Sequence, residues 1–434
     1  MFKLALVGNE IPFYFPAILA DALYAHAIPC HIVICQENPI TSDLLYHYGI
    51  HLAKNGKDHV HISTASTIEK ALDKADGIVY AHDAQSTSRY HEDVESLSQR
   101  DPEMRFLGNR SPYIGICGLL QNLRQGSQAR PLCQAIKQWA PSSKTTILSS
   151  NATTLVSLFS SYGLEAVGFS SNDTNENQKA FQTLLKKEEN QEGKEKNVFF
   201  CNGMEHFLWL TSVESNGKTI PLDHIKEKII RTSPQSTISK WIDLYDGVAC
   251  SDVQQIGQFM PPQPDIHPFD EMIFSETIQQ RKERILHMNK IADMNTDVKE
   301  KEIAQIALLS NVSAFRPVKT LYQLYGLLDQ PTPIKNLLVV NDQKQISNLP
   351  VNAIVVNTLS PSFHYEPLPQ EVAFLGQNIV LWQSFVIKSM EGDWSSVRQA
   401  IENDPSLENG DKLAGYEMSI ELINRHADLL EQFV

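Results

Sequence analysis

Two apolar runs near the N-terminus decide the fold: residues 2–8 read FKLALVG, and residues 31–35 read HIVIC. The first run ends in a glycine, and residues 16–27 have the apolar spacing of a helix. A strand, a glycine turn, a helix and a second strand make a βαβ unit, the unit with which Rossmann-type folds begin. We therefore expect the chain to begin with a nucleotide-binding fold.

The alternation of strands and helices continues beyond this unit. Further strands are predicted at 59–62, 76–81 and 144–150, and helices at 41–54, 67–75, 118–139 and 152–162. Such alternation is typical of a parallel sheet with helices on both faces. We expect a Rossmann-type doubly wound parallel sheet over 1–165 and an α+β lobe, for substrate binding and oligomerisation, over 166–434.

The second lobe is predicted from separate patterns. Its strands are expected at 197–202, 336–341 and 351–357, the last two as an antiparallel pair, and its helices at 271–305, 376–404 and 411–433. The polar stretch 172–196 has two interpretations, an exposed loop or a lid over a pocket.

Charge and apolar content limit the function classes. The net charge of −14 argues against nucleic acid or an anionic membrane as the main partner, because both need a basic surface. No apolar run approaches the roughly 18–20 residues of a membrane span, and the short N-terminal run predicts a strand rather than a signal peptide. The six cysteines form no CxxC pair, which favours reduced thiols in a cytoplasmic protein.

The first turn, Gly8-Asn9-Glu10, is a candidate cofactor site. A glycine at a strand end lets backbone amides approach a diphosphate at the next helix, but a structural turn has the same pattern. Glu10 would repel a phosphate. Glu37, just after the second strand, is placed to accept hydrogen bonds from a ribose, or it is an ordinary surface acid.

Two more positions have open interpretations. Arg124 follows the helix start at Gly115 and is either a clamp for an anionic group or one member of an ion pair. Asn151 ends the strand at 144–150, where open α/β sheets bind ligands, but asparagine is also a common helix N-cap.

The stretch 197–210 reads NVFFCNGMEHFLWL and brings Glu205 and His206 together after a glycine. A neutral imidazole is a frequent metal ligand and general base, although a lone histidine is more often structural. Cys201 could add a thiolate, but a buried free cysteine is the more ordinary interpretation.

Six short motifs follow one another along the chain. They are ADGIV at 75–79, GICGLLQNLR at 115–124, ILSSNA at 147–152, GMEHFLW at 203–209, LPVNAIVVN at 349–357 and the closing AIENDP at 400–405. In order and spacing they resemble glycoside hydrolase family 4, the NAD- and divalent-metal-dependent glycosidases. The resemblance covers nearly the whole chain. It implies oxidation of the sugar at C3 by NAD, removal of the C2 proton, elimination of the leaving group and polarisation of the sugar oxygens by manganese.

The chain departs from the family at several of these places. Gly168-Phe169-Ser170 stands where the family has a metal-binding cysteine, and Glu205 replaces an asparagine. No tyrosine lies near residue 267, where the family has its base. The resemblance thus implies a metal site at His206, Ser170 and Glu205, catalytic residues Ser171 and His267, cofactor contacts at Gly8, Asn9, Glu37 and Asn151, and substrate contacts at Arg124, Asn151 and Glu205.

Two functions follow from the resemblance. The first is a divergent glycosidase that acts on a small sugar or sugar phosphate, in particular a 6-phospho-glycoside, with NAD and manganese. The second is a relative that has lost the chemistry and binds a sugar or nucleotide, or serves in an assembly. A dehydrogenase would explain the N-terminal half but not the C-terminal motifs. The family also implies a homo-oligomer.

Overall fold

The computed structural model describes residues 1–24, 28–53, 59–82, 86–103, 106–108, 110–149, 151–169, 197–204, 206–215, 218–250, 253–260, 283, 286, 288, 316–328, 337–340, 353–356, 368–407 and 410–433. Contacts divide the chain into two compact units. The first unit comprises 1–87, 125–169 and 270–335, and the second comprises 88–124, 170–269 and 336–434. The single division at 165/166 that the sequence suggests stays a prediction.

A six-stranded sheet forms the centre of the first unit. Its strands are β1 (Phe2–Val7), β2 (Cys30–Cys35), β3 (Val60–Ala65), β4 (Gly77–Tyr80), β5 (Lys144–Ile147) and β6 (Glu165–Phe169). All five pairings are parallel, and the strand order is β6-β5-β4-β1-β2-β3. The strand order reverses at β1, which pairs with β2 on one side and with β4 on the other. Folds of this kind bind ligands in the crevice at such a reversal, which the carboxyl ends of β1, β2 and β4 border here.

Helices connect these strands, and the sequence predicted all of them except the one at 86–100. They are α1 (Ile11–Tyr24), α2 (Pro39–Ala53), α3 (Ile68–Leu72), α4 (Ser86–Arg100), α5 (Gly115–Trp139) and α6 (Ala152–Ser161). The central strands β1, β2 and β4 are almost fully buried; Leu4, Leu6, Ile32 and Ile34 have no exposed surface. Burial on both faces is the condition under which a parallel sheet is stable. The predicted Rossmann-type α/β fold is confirmed.

The second unit contains an antiparallel hairpin. Strand β7 (Asn197–Met204) pairs with β8 (Phe207–Ser215), which also pairs with β9 (Lys218–Ile220) and β10 (Val248–Ala249). Helices α7 (Leu222–Thr232), α8 (Thr237–Tyr245) and α9 (Val253–Gly257) follow. Trp209 and Trp241 are fully buried and lie 6.2 Å apart between ring centroids, so an aromatic core fixes the hairpin.

The later part of the chain adds one helix, α10 (Pro317–Leu324), to the first unit and the remaining elements to the second. These are strands β11 (Leu337–Val340) and β12 (Ala353–Val356) and helices α11 (Gln370–Ser389), α12 (Trp394–Glu402) and α13 (Lys412–Arg425). Strands β11 and β12 are antiparallel, which confirms the predicted pair. The predicted helix over 271–305 lies outside the described residues.

The prediction of one helix over 376–404 is wrong. Gly392 has φ +88° and a Cβ there would lie 2.2 Å from the carbonyl oxygen of Gln432, so the chain turns at this glycine. The Asp393 carboxylate then accepts hydrogen bonds from the amides of Ser395 and Ser396 and begins α12. A glycine followed by an N-cap residue is a stop and start signal that the apolar spacing hid.

Within the described ranges, no helix has the length and apolar character needed to cross a membrane. Five of the cysteines are free and buried: Cys30, Cys35, Cys117, Cys133 and Cys250.

Candidate functional site

A cavity of about 520 Å³ opens in the first unit, at the carboxyl ends of β1, β2 and β4. Gly8, Asn9 and Glu37, three of the four predicted cofactor residues, line it. Its size is within the range of small-molecule sites. The position is therefore the one predicted for a nucleotide, and the contacts of the first turn decide which part of a nucleotide it can hold.

Gly8 is required for a close backbone contact. Its φ is +117°, and a Cβ would lie 2.1 Å from the carbonyl oxygen of Ala81, just after β4. Gln36 holds the same turn from the other side, because its side-chain amide donates to the Gly8 carbonyl oxygen at 2.8 Å. These contacts show that the turn requires a glycine at position 8, and the role of Gly8 in cofactor binding stays a prediction.

The backbone amides of the first turn of α1 are bound within the protein. The amide of Glu10 donates to the Ala81 carbonyl oxygen at 3.0 Å, and that of Ile11 to the Gly8 carbonyl oxygen at 3.2 Å. Pro12 has no N–H, and the Phe13 amide donates to the Glu10 carbonyl oxygen at 2.9 Å. A helix start binds a diphosphate through free amides. Positions 10–13 therefore offer a diphosphate no free backbone amide.

The cavity wall is also acidic. Glu10 and Glu37 line it, and its described lining contains no lysine or arginine. Glu37 is exposed and sits at the end of β2, where a carboxylate binds ribose hydroxyls. The nucleoside end of NAD thus fits, whereas the negative potential of two carboxylates opposes its phosphates.

Asn151, the fourth predicted cofactor residue, does not line this cavity. It is buried at the N-cap position of α6, but its side chain makes no cap hydrogen bond to the helix. Its amide donates to the Ser149 hydroxyl at 3.3 Å. The ordinary capping interpretation therefore lacks its hydrogen bond, and the roles of Asn151 in cofactor and substrate binding stay predictions.

His206 occupies the turn of the β7–β8 hairpin in the second unit. It has φ +63°, a left-handed conformation, and only 2% of its surface is exposed. Histidine adopts this conformation more readily than most residues, yet the conformation still carries strain. Gly203 makes the turn possible, since its φ is +133° and a Cβ would lie 2.1 Å from the Phe207 carbonyl oxygen.

Tyr113 packs directly on the His206 imidazole. The ring centroids are 3.8 Å apart and the planes meet at 32°. Ser111 holds the segment of Tyr113: its hydroxyl accepts from the Tyr113 amide at 3.0 Å and donates to the Gln258 side chain. Sequence reasoning missed Tyr113, because nothing in its local sequence indicates a contact with a hairpin 93 residues later.

The other members of the predicted metal and catalytic set are Ser170, Ser171, Glu205 and His267. They lie outside the described residues. In the part of the chain that the structure describes, no three or more His, Cys, Asp or Glu side chains come together as metal ligands.

Arg124 is completely buried and ion-paired. Its guanidinium donates to the Asp93 carboxylate at 2.8 Å and to the Gln121 side-chain oxygen at 3.3 Å. Asp93 also binds the His426 imidazole at 2.8 Å, and all three charged or titratable side chains of this network have 0% exposure. The structure shows the ion-pair interpretation of Arg124, in the core rather than on the surface. Its role as a substrate clamp stays a prediction.

The second glycine-rich helix start is capped within the second unit. The Asp404 carboxylate accepts hydrogen bonds from the amides of Gly115, the first residue of α5, and Ser406. The first amide of α5 is thus occupied by a carboxylate rather than open to a ligand. Burial raises the pKa of Asp404 to about 7, more than these hydrogen bonds lower it.

The Asp404 pKa predicts a pH dependence of stability. The folded state holds the Asp404 proton more tightly than the unfolded state does. The contribution of Asp404 to stability is therefore greatest below about pH 4 and decreases as pH rises to about 7. The slope from this one group approaches about 1.4 kcal/mol per pH unit. We expect Asp404→Asn to remove this slope, so that the variant gains stability relative to the wild type between pH 4.5 and 7.5.

Urea unfolding of both proteins across that range measures the difference. Asp243→Asn, at an exposed position of α8, is the matched control and should leave the slope unchanged. A constant difference between Asp404→Asn and the wild type at all pH values would contradict the prediction.

Comparison with solved structures finds the same fold in several glucosidases. The supposed glucosidase lplD of Bacillus subtilis matches with a TM-score of 0.74 and 16% identity, over 97% of this chain and 99% of its own. A 6-phospho-α-glucosidase from gut microorganisms, in complex with NAD and Mn²⁺, matches with a TM-score of 0.69 and 14% identity, over 99% of this chain and 98% of its own. The 6-phospho-β-glucosidase of Thermotoga maritima, with NAD and glucose-6-phosphate, matches with 0.68 and 11%, over 99% of each chain.

These identities show a shared fold over nearly the whole of each chain. No model of a known protein family matches this chain. No curated protein matches its sequence either.

Proposed function

We propose that this chain is a divergent family-4-like glycosidase that acts on a small glycoside, with 6-phospho-glycosides as the expected substrate class. The observation that carries the proposal is the fold, because solved 6-phospho-glucosidases match it over at least 98% of their length. Fold alone does not fix chemistry, so the residues of the metal and NAD sites decide whether the chain is a glycosidase.

The proposed metal site consists of His206, Glu205 and Ser170. These residues would offer an imidazole nitrogen and two oxygens, a donor set that suits manganese better than a soft metal. The hairpin turn and the Tyr113 ring hold the His206 imidazole in one orientation. A ligand that is fixed before the metal arrives loses less conformational freedom when it binds. His267 is the proposed base and Ser171 a further catalytic candidate.

NAD fits the first unit only in part. Glu37 is placed for its ribose, but the first turn of α1 gives its diphosphate no amide, and Glu10 opposes it. Under this proposal NAD binds weakly and must be supplied in excess.

The alternative that the sequence left open is a chain that binds a sugar or nucleotide without turnover. The two functions differ in one measurable respect, namely whether a glycoside is cleaved when NAD and Mn²⁺ are both abundant.

We expect the full chain to release p-nitrophenol from a p-nitrophenyl 6-phospho-glucoside only when Mn²⁺ and excess NAD are both present. The variant His206→Asn should lose at least about 100-fold in activity, because loss of a metal ligand costs more than loss of its supporting hydrogen bonds. Asparagine tolerates the left-handed conformation, so this variant removes the imidazole and keeps the turn.

The matched control is His47→Asn, at an exposed position of α2, and it should retain full activity. Activity of His206→Asn equal to that of the wild type would exclude His206 from the site. The second function would be favoured if the chain binds glucose-6-phosphate but cleaves neither the α- nor the β-anomer of the p-nitrophenyl 6-phospho-glucoside at any NAD concentration.

A further inference from the structure

The cavity of the first unit differs in its chemistry from a dinucleotide site. It has apolar walls from Val7, Pro12, Phe13, Leu44, Ile68 and Leu132, so a flat, weakly polar group can be buried there. Glu10, Gln36 and Glu37 lie at the carboxyl ends of β1 and β2, and Thr41, His82 and Gln128 add polar groups elsewhere on the wall.

Hydroxyl groups suit the end of β2. Glu37 lies two residues after the end of the strand, and its carboxylate accepts hydrogen bonds but donates none. Neighbouring hydroxyls, such as those of a ribose, are the donors that such a carboxylate binds. A ligand with a flat base and a ribose would use the apolar walls and Glu37 together.

Phosphate groups do not suit the end of β1. The amides at positions 10, 11 and 13 are donated to carbonyl oxygens of Ala81, Gly8 and Glu10, and position 12 is a proline. A phosphate placed there would gain no hydrogen bond from these three amides, and it would face the Glu10 carboxylate. The penalty applies to every phosphate and does not apply to the nucleoside itself.

We propose that this cavity is a site for an uncharged nucleoside, which it binds at least as tightly as the corresponding dinucleotide. The inference concerns affinity at one cavity of the first unit. It does not rest on glycosidase activity, because binding is measured without a glycoside.

Titration calorimetry of the full chain with adenosine, AMP and NAD tests the proposal. We expect adenosine to bind at least as tightly as NAD. Raising the salt concentration from low values to about 0.5 M should strengthen NAD binding, because screening weakens repulsion, and should leave adenosine binding unchanged. A conventional diphosphate site would show the opposite salt dependence.

Two variants separate the two ends of the cavity. Glu10→Gln should raise the affinity for NAD about threefold or more and change that for adenosine by less than about twofold. Glu37→Gln should lower the affinity for both ligands about tenfold, because a charge-assisted hydrogen bond is lost. Glu417→Gln, exposed on α13, is the control for the loss of one charge and should change neither affinity.

NAD that binds more than about threefold tighter than adenosine at low salt would overturn the proposal. Absence of adenosine binding at millimolar concentration would do so as well. Failure of glycoside cleavage, with these affinities as expected, would overturn the proposed function and leave this inference standing.

Discussion

Asp93→Ala should destabilise the protein by about 3–5 kcal/mol, because it removes the centre of a fully buried charge network. Arg124 and His426 each donate to one oxygen of the Asp93 carboxylate at 2.8 Å, and none of the three side chains is exposed. Without the carboxylate, a guanidinium would remain buried with no opposite charge beside it. Urea unfolding of the full chain at pH 7 measures the loss.

Two comparisons make the interpretation specific. Asp243→Ala, an exposed aspartate of α8, should change the stability by less than about 0.5 kcal/mol. The double variant Asp93→Leu, Arg124→Met should recover part of the loss, because apolar residues of similar volume can replace a buried ion pair. A loss below about 1 kcal/mol for Asp93→Ala would mean that the network contributes little to stability.

Gly203→Ala should lower stability by roughly 3 kcal/mol or more, the sum of a left-handed backbone cost and an overlap with the backbone. A Cβ at Gly203 would lie 2.1 Å from the Phe207 carbonyl oxygen, an atom that cannot move without opening the β7–β8 hairpin. Since His206 is in that hairpin, we expect the variant also to lose the contact with Tyr113. Thermal unfolding reports the first effect, and the imidazole resonances in an NMR spectrum report the second.

Gly163→Ala provides the matched control. Gly163 has φ +74°, but nothing lies within 4 Å of the position of its Cβ. It should therefore show only the backbone cost, about 1–2 kcal/mol. Equal losses in the two variants would show that the contact with Phe207 relaxes freely and that the hairpin does not depend on this glycine.

The sequence predicted the first unit better than the site. Apolar runs such as Phe2–Val7 and Cys30–Cys35 are buried on both faces and carry a strong signal for parallel strands. The start of α1 was predicted five residues late, at Pro16, because proline is common in a first turn. The helix begins at Ile11 and includes Pro16 in its interior.

The site depends on contacts that leave no local trace in the sequence. The contact between Ala81 and Gly8 is made by backbone atoms, so the residue type at position 81 does not indicate it. The contact of Tyr113 with His206 and the cap of Asp404 on Gly115 join residues that are far apart in the chain. Such pairs become visible only when the elements are in place. The spacing of residues can predict where a helix begins. It cannot predict which carbonyl or carboxylate group accepts the hydrogen bond of the first backbone amide.

The buried network has a consequence for biosynthesis. Asp93 and Arg124 emerge from the ribosome early, whereas His426 is added 333 residues after Asp93. Until then the Asp93 carboxylate has only one of its two hydrogen-bond partners, and a protein interior tolerates an incompletely bonded carboxylate poorly. The second unit can therefore complete its core only after residue 426 has been synthesised. A ribosome that stalls earlier would hold a chain whose second unit is a substrate for chaperones and proteases.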